Sequence, residues 1–323
     1  MSDAPMSQQC PACGEPVKPS WKICPACETR LQALTCHGCG FPVKENWKRC
    51  PECEALLICP QCQKRFPTGK TRCPYCPASA PDRNGSPTAD SITDSICGIQ
   101  LVRVAGGYFQ MGDTFDEGIE NEKPVHGVSL NDFYIARHLL TQAQWLRLMP
   151  ENPSRFQGAE HPVEQVNWDD AVAFARALSA AHQGRFRFQL PTEAQWEYAA
   201  RSGGREERYA GGDAADSVAW IGNNSRGQTQ PVGRKAPNGL GLFDMSGNVW
   251  EWCRDIFAED AYHRHGPDDP VIEHEHFHDV PDRVIRGGSW NLDAWSARCA
   301  RRFSFKSDLF GPGLGFRLVM TLP

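Results

Sequence analysis

The chain has 323 residues, of which 40% are hydrophobic, and a formal net charge of −5. This composition is that of an ordinary globular protein, and the slight acidity gives no reason to expect nucleic-acid binding over the whole surface. No apolar run reaches the roughly 18 residues that a membrane span needs, and no secretory signal opens the chain. We therefore expect a cytoplasmic protein with no membrane span.

Twelve of the fifteen cysteines form six Cys-x-x-Cys pairs near the start of the chain. Within each unit two pairs are separated by ten residues, so C-x2-C-x10-C-x2-C occurs over residues 10–27, 36–53 and 59–76. Zn²⁺ prefers four ligands such as cysteine thiolates in a tetrahedron, and the tight turn of one Cys-x-x-Cys pair presents two thiolates to one ion. The sequence therefore predicts three zinc ribbons in a domain of residues 1–77, with these ligands: Cys10, Cys13, Cys24, Cys27, Cys36, Cys39, Cys50, Cys53, Cys59, Cys62, Cys73 and Cys76.

The first two units also share the pattern G-x-P-V-K-x2-W-K, which indicates duplicated modules. Each module is too small to hold a core without its metal, so zinc binding and folding should be one event. A disulfide framework is the alternative, and the regular spacing without a secretory signal disfavours it. Zinc-bound thiolates offset the local excess of Lys and Arg, which argues against phosphate binding and favours docking to a protein.

Residues 78–97 are rich in Pro, Ser, Asp and Gly, which predicts a flexible linker. A second domain, 98–323, follows. Thr141 is placed to cap one helix, and Asn167 is placed to cap a second. Thr192 and Gln195 stand in capping-box positions at the start of a third. The second helix has an apolar face formed by Ala171, Phe174, Ala175 and Leu178.

Nine motifs in the second domain occur in a fixed order, among them GGYFQMGD, HPVEQVNWDDAVAFARAL, LPTEAQWEYAAR, LFDMSGNVWEW, RGGSW and GFRLV. Together they resemble the formylglycine-generating enzyme family, also called sulfatase-modifying factor domains. The resemblance covers about 98–323. It implies an α+β fold of the C-type-lectin-like type with little regular secondary structure, here preceded by small zinc-ribbon β-hairpin modules.

The resemblance implies one Ca²⁺ site within LFDMSGNVWEW. Its ligands would be the side chains of Asp244 and Glu251 and the backbone carbonyls of Gly247 and Val249. Oxygen ligands of this kind suit a hard cation. The alternative is that Glu251 pairs with a buried arginine and that no metal binds.

Formylglycine-generating oxidases bind Cu(I) through two cysteines just after the motif that matches GGSW, and thiolates suit that soft ion. Leu292 stands where the first cysteine belongs, and a shorter segment leaves no place for the second. Cys299 matches a cysteine that is structural in the family. We therefore expect no copper and no formylglycine generation.

Iron-dependent sulfoxide synthases of the same family use histidines that lie mainly in a separate helical domain, which no segment before residue 98 supplies. One histidine-rich segment, EDAYHRHGPDDPVIEHEHFHDVPD, remains. In an extended chain His274, His276 and His278 face one side and would bind one metal ion together. The alternative is a solvated acidic insertion with no metal.

The last loops carry aromatic and short polar residues of the kind that form adaptable binding surfaces. We call this set the ligand surface; its predicted members are Asn291, Leu292, Asp293, Trp295, Ser296, Arg301, Phe303, Phe305 and Phe310. The sequence thus favours a non-catalytic adaptor that binds a protein or small ligand through residues 291–310 and docks a second protein through its zinc ribbons. Two alternatives stay open: a metal-dependent oxidoreductase of this superfamily, and a variable binding protein of a diversity-generating retroelement.

Overall fold

The computed structural model describes residues 91–273 and 280–321, together with two short strands near the start of the chain. The chain divides into two compact units, Met1–Pro77 and Ala78–Pro323. In the first unit, strand β1 (Gln8–Gln9) pairs antiparallel with strand β2 (Pro16–Val17). The twelve predicted zinc ligands, and with them His274, His276 and His278, lie outside the described residues.

The described part of the second unit is made of short strands, short helices and long connecting segments. The strands are β3 (Ser91–Thr93), β4 (Gln100–Val104), β5 (Tyr108–Met111), β6 (His126–Ser129), β7 (Phe133–Ala136), β8 (Arg187–Gln189), β9 (Trp250–Ile256), β10 (Asp282–Arg286), β11 (Arg302–Lys306), β12 (Leu314–Gly315) and β13 (Val319–Thr321). The α-helices are α1 (Gln142–Trp145), α2 (Trp168–Ala181), α3 (Glu193–Ala200), α4 (Ala215–Val218) and α5 (Ala261–Arg264). Single 3-10 turns occur at Glu120–Glu122 and Ala294–Ala297.

The strands of this unit form a five-stranded sheet of order β3-β4-β7-β13-β8, a four-stranded sheet of order β11-β10-β9-β12 and a hairpin of β5 and β6. The last strand, β13, lies between β7 and β8, so early and late parts of the unit share one sheet. The four-stranded sheet is antiparallel except for the pairing of β12 with β9. Its strands β10 and β11 are joined by the loop that contains most of the predicted ligand surface.

Three helices begin where the sequence predicts. Asn167 accepts a hydrogen bond from the backbone N–H of Asp170 at 2.8 Å, and the Asp170 carboxylate accepts one from the backbone N–H of Asn167 at 3.1 Å. Equivalent capping boxes open α1 at Thr141 and α3 at Thr192. A cap of this type typically contributes about 1 kcal/mol, because it satisfies backbone donors that the first turn leaves unpaired.

The predicted apolar face of α2 is buried, as the 3.6-residue periodicity requires. Phe174 stacks on Trp145 with ring centroids 5.5 Å apart and meets Phe316 edge-on at 6.0 Å. This helix therefore packs against both the end of α1 and the segment between β12 and β13. No helix among the described residues is long and apolar enough to span a membrane.

The end of the predicted linker differs from the expectation. Residues 91–97 are folded: β3 pairs with β4, and the Asp94 carboxylate accepts hydrogen bonds from the backbone N–H groups of Ile96, Cys97 and Ile99. Asp94 also lies 2.7 Å from Nε2 of the buried His182, next to the end of α2. Composition alone predicts a linker here, because it reveals neither the backbone bonds to Asp94 nor its contact with His182, which is 88 residues away in sequence.

Candidate ligand surface

The loop that follows β10 turns sharply at two glycines. Gly287 and Gly288 have φ values of +96° and +76°, in the region that other residues rarely adopt. A side chain at Gly288 would also lie 2.7 Å from the carbonyl oxygen of Ser296. The loop returns through the 3-10 turn Ala294–Ala297, which Asp293 caps by accepting from the backbone of Ser296 at 3.1 Å. Two different constraints therefore fix the path of this loop.

The structure places the predicted members of the ligand surface at or near the solvent. Phe303 is 47% exposed, Phe310 59% and Trp295 36%. Asn291 and Asp293 are also exposed, whereas the partly buried members are Leu292, Ser296, Arg301 and Phe305. The Phe303 ring stacks on Trp250 of β9 with centroids 6.0 Å apart, which extends the aromatic area onto the sheet.

Trp295 is held in one orientation although its ring reaches solvent. Its indole N–H donates to the carbonyl oxygen of Glu117 at 3.0 Å. The guanidinium groups of Arg298 and Arg301 lie 4.7 and 4.5 Å from the ring centroid, within the range of a cation–π interaction. Arg301 also contacts Glu122 at 3.4 Å. Arg301, like Asp293, therefore has a structural partner inside the molecule in addition to its predicted place on the surface.

A buried ionic network lies beneath this loop. The sequence did not predict that its members pair with one another. The Glu193 carboxylate accepts two hydrogen bonds from Arg302, at 2.7 and 2.8 Å, and a third from Arg286 at 3.3 Å. Glu197 accepts from Arg286 and, at 3.0 Å, from Arg201. All five side chains are at most 1% exposed. Arg286 also donates to the carbonyl oxygens of Cys299 and Ala300, and so ties the returning loop to α3.

Glu122 forms a second buried ion pair near the loop. Arg298 donates to both of its carboxylate oxygens, at 2.8 and 3.0 Å. Arg286, Arg298, Arg302 and Arg317 are all buried, so they anchor the surrounding segments from inside rather than face a ligand.

Three thiols lie among the described residues, and neither Cys253 nor Cys299 is suited to nucleophilic chemistry. Cys253 and Cys299 are both 0% exposed. Burial raises the pKa of the Cys299 thiol to about 12, and it raises the pKa of Cys253 well above its ordinary value. Both groups are therefore protonated at neutral pH and out of reach of a substrate. Leu292 is partly buried, and its carbonyl oxygen accepts from the backbone of Gly222 at 2.7 Å.

Two of the predicted calcium ligands, Asp244 and Glu251, already accept hydrogen bonds within the protein. Both oxygens of Glu251 accept from Arg317, at 2.6 and 2.8 Å, which is the ion pair expected if this carboxylate binds no metal. Asp244 accepts from the backbone of Gly233 at 2.8 Å, and its other oxygen has one long contact, 3.5 Å, to Asn248. Burial raises the pKa of Asp244 to about 6.

No three His, Cys, Asp or Glu side chains converge on one point in the part of the chain that the structure describes. One oxygen of Asp244 has only a long contact and is open to a cation. Both oxygens of Glu251 are instead occupied by Arg317. Calcium binding by Asp244, Gly247, Val249 and Glu251 stays a prediction.

A buried carboxyl group also supports the aromatic surface from behind. Oε1 of Glu164 accepts from the backbone of Phe156 at 2.8 Å, while Oε2 is buried without a partner among the described residues. Phe156 packs edge-on against Trp290, which directly precedes the ligand surface, with centroids 5.3 Å apart. Burial raises the pKa of Glu164 to about 7, against the lowering effect of its backbone donors.

Comparison with known proteins agrees with this geometry. Residues 95–322 match the sulfatase-modifying factor enzyme 1-like domain family, and residues 10–54 match the double zinc ribbon family. A formylglycine-generating enzyme of Streptomyces coelicolor is 32% identical over 286 residues, covering 67% of this chain and 87% of that protein. A chaperone protein, LppX, of Paenibacillus barcinonensis is 31% identical over 271 residues, covering 68% and 89%.

Two solved structures show the same fold. Treponema denticola variable protein 1 superimposes with a TM-score of 0.60 at 27% identity, covering 72% of this chain and 99% of that one. PvdO from Pseudomonas aeruginosa gives a TM-score of 0.62 at 26% identity, covering 72% and 98%. The fold is thus the C-type-lectin-like, α+β fold of formylglycine-generating enzymes. The chain belongs to the sulfatase-modifying factor enzyme 1-like domain family, which confirms the family and fold class predicted from the sequence, and it carries a double zinc ribbon.

Glu197→Gln tests the buried network. Loss of this charge leaves the Arg286 and Arg201 guanidiniums without their shared partner, so we expect the free energy of unfolding to fall by about 3–5 kcal/mol. Urea unfolding followed by circular dichroism measures it. Asp116→Asn removes an exposed ion pair with Lys123 and should leave the free energy of unfolding nearly unchanged. Equal effects of the two substitutions would contradict a structural role for the network.

Glu164→Gln tests the unpartnered carboxyl group. The pKa of Glu164 is raised from 4.5 to about 7 in the folded chain, so unfolding releases a proton between these values and stability falls as pH rises through that window. The variant lacks this titration. Its free energy of unfolding, relative to the wild type, should therefore increase between pH 4.5 and 7, by at most about 3 kcal/mol. A difference that is constant with pH would refute the assignment.

Proposed function

We propose that this chain is a non-catalytic binding protein whose ligand surface recognises a protein partner. One observation carries the proposal: exposed aromatic side chains lie in and after the loop in which the family's oxidases keep their copper-binding cysteines. Phe303, Phe310 and Trp295 supply large contact areas with few rotatable bonds, as interface anchors do. The network beneath fixes their backbone, which lowers the entropy lost on binding.

The chemistry of the loop supports binding over oxidation. A Cu(I) site of the oxidase type needs two converging thiolates, and Leu292 supplies no sulfur at the first position. Cys299 and Cys253 cannot substitute, because both are buried and protonated. A relative named a chaperone and a structural neighbour named a variable protein support a binding role on the same fold.

The zinc ribbons form the second part of the proposal. Residues 10–54 match the double zinc ribbon family, and the unit at 59–76 repeats the same cysteine spacing beyond that match. We propose that all three units bind zinc and that the module docks a second protein. In this proposal the protein is an adaptor: the zinc ribbons dock it to one protein, and the ligand surface of the second domain binds another.

Metal analysis of the purified full chain separates this proposal from the oxidoreductase alternative. We expect about three zinc ions per chain, falling to about two in a Cys59→Ser, Cys62→Ser variant. Calcium in the same sample, lost in Asp244→Asn, would support the predicted calcium site. Iron or copper that is lost on replacing His274, His276 and His278 would instead favour an oxidoreductase.

Photo-crosslinking in cells tests the ligand surface. A benzophenone side chain at position 303 or 310 should form the same discrete protein adducts, because both positions face one partner. Leu146 is 49% exposed on α1 and provides a matched apolar position outside the surface; it should not form these adducts. Trp295→Ala should reduce their yield about tenfold, the loss typical of an aromatic anchor. Oxygen consumption with a cysteine-containing sulfatase peptide and Cu(I), at a rate above that without protein, would overturn the non-catalytic assignment.

A further inference from the structure

A pocket outside the ligand surface lies between the residues around the start of α1 and the segment 232–234. It is open to solvent and has a volume of about 400 Å³. Ala143, Ala159 and Val232 form an apolar part of its lining. The volume lies in the range of small-molecule sites, which are largely apolar with a few placed polar groups. The polar groups here are His138, Thr141, Glu160 and Arg234.

His138 is a neutral donor in this pocket. Its ring stacks on Phe243 with centroids 4.9 Å apart, which fixes the imidazole plane. Burial, together with the positive charges of Arg317 and Arg137, lowers its pKa to about 4. No hydrogen bond of the ring to any other described residue is found. The imidazole therefore offers an unused N–H group to the pocket.

Two more donors line the same pocket. Oγ1 of Thr141 accepts from the backbone of Gln144 at 3.3 Å as a helix cap, and this leaves its hydroxyl proton free to donate. Arg234 is 59% exposed on its side chain and uses one amino group to contact Glu160 at 2.7 Å. Its other N–H groups are available to a planar anion, which guanidinium binds well.

We propose that this pocket binds a small monocarboxylate with an apolar body. The carboxylate accepts from His138, Thr141 and Arg234, and the hydrocarbon part lies against Val232 and the two alanines. A dianion such as phosphate is a poorer ligand, because the exposed Glu160 carboxylate at the rim repels the second charge. The site is independent of the ligand surface and of the function proposed for it.

Gly233 provides a substitution that fills the pocket. A Cβ atom there would lie 2.9 Å from Nε2 of His138, so Gly233→Ala blocks the donor. Gly233 has a φ of +72°, and alanine adds backbone strain as well. Gly227 has a φ of +74° with open space around it, so Gly227→Ala adds the same strain without filling the pocket. The pair separates loss of binding from loss of stability.

The experiment follows the imidazole resonance of His138 by NMR in the zinc-loaded full chain, with His138→Gln used to assign it. Acetate, butyrate and hexanoate are titrated, with inorganic phosphate as the dianion. We expect saturable shifts and a raised pKa of His138, because a bound anion favours the charged imidazole. Affinity should rise roughly fourfold for each methylene group that the pocket buries.

Substitutions at the rim should act in opposite directions. Arg234→Gln should weaken binding about tenfold, and Glu160→Gln should strengthen it roughly two- to fivefold. Gly233→Ala should abolish binding while Gly227→Ala retains it. The proposal is overturned if the wild-type resonance shows no saturable change, if phosphate binds as tightly as butyrate, or if Gly233→Ala binds as Gly227→Ala does.

Discussion

The rest of the second unit depends on the pairing of Arg286 with Glu193 and Glu197. Arg286 is 0% exposed, and a guanidinium without partners would be too costly to bury at this depth. Its two carboxylates come from successive turns of α3, and its two carbonyl partners come from the residues that close the loop after β10. The helix, the sheet and the loop must therefore be assembled together. A fold with little regular secondary structure acquires rigidity from such polar contacts, because its strands are too short to supply it alone.

The sequence predicted the parts of this fold that are local. Asn167 and Thr192 cap their helices because capping boxes act within four residues, and the buried face of α2 follows from helical periodicity. The ionic network was not predicted as a network. Arg286 and Glu197 are 89 residues apart in sequence, and Arg302 and Glu193 are 109 apart, so no spacing pairs them.

The ligand surface, too, was predicted from the sequence only in part. Sequence comparison with the family identified Leu292 as the position that lacks a cysteine, and composition identified the exposed aromatic residues. The sequence did not reveal that Asp293 caps a turn or that Arg301 contacts Glu122, because both contacts form only when the loop is folded. The pocket at His138 was also missed, since the stacking of this ring on Phe243 joins segments more than 100 residues apart.

These contacts explain how one fold supports both oxidases and binding proteins. The groups that hold the loop are Arg286, Arg298, the two glycines and the buried carboxylates, and none of them is a residue that would bind copper. The side chains at 291–296 project from this frame and contribute little to it, apart from the cap at Asp293 and the indole N–H of Trp295. The loss of oxidase chemistry that we propose for leucine at position 292 therefore comes at little cost to the fold. The same separation leaves the surface free to acquire aromatic residues, which are favourable at an interface and tolerable here because the backbone that carries them is held from below.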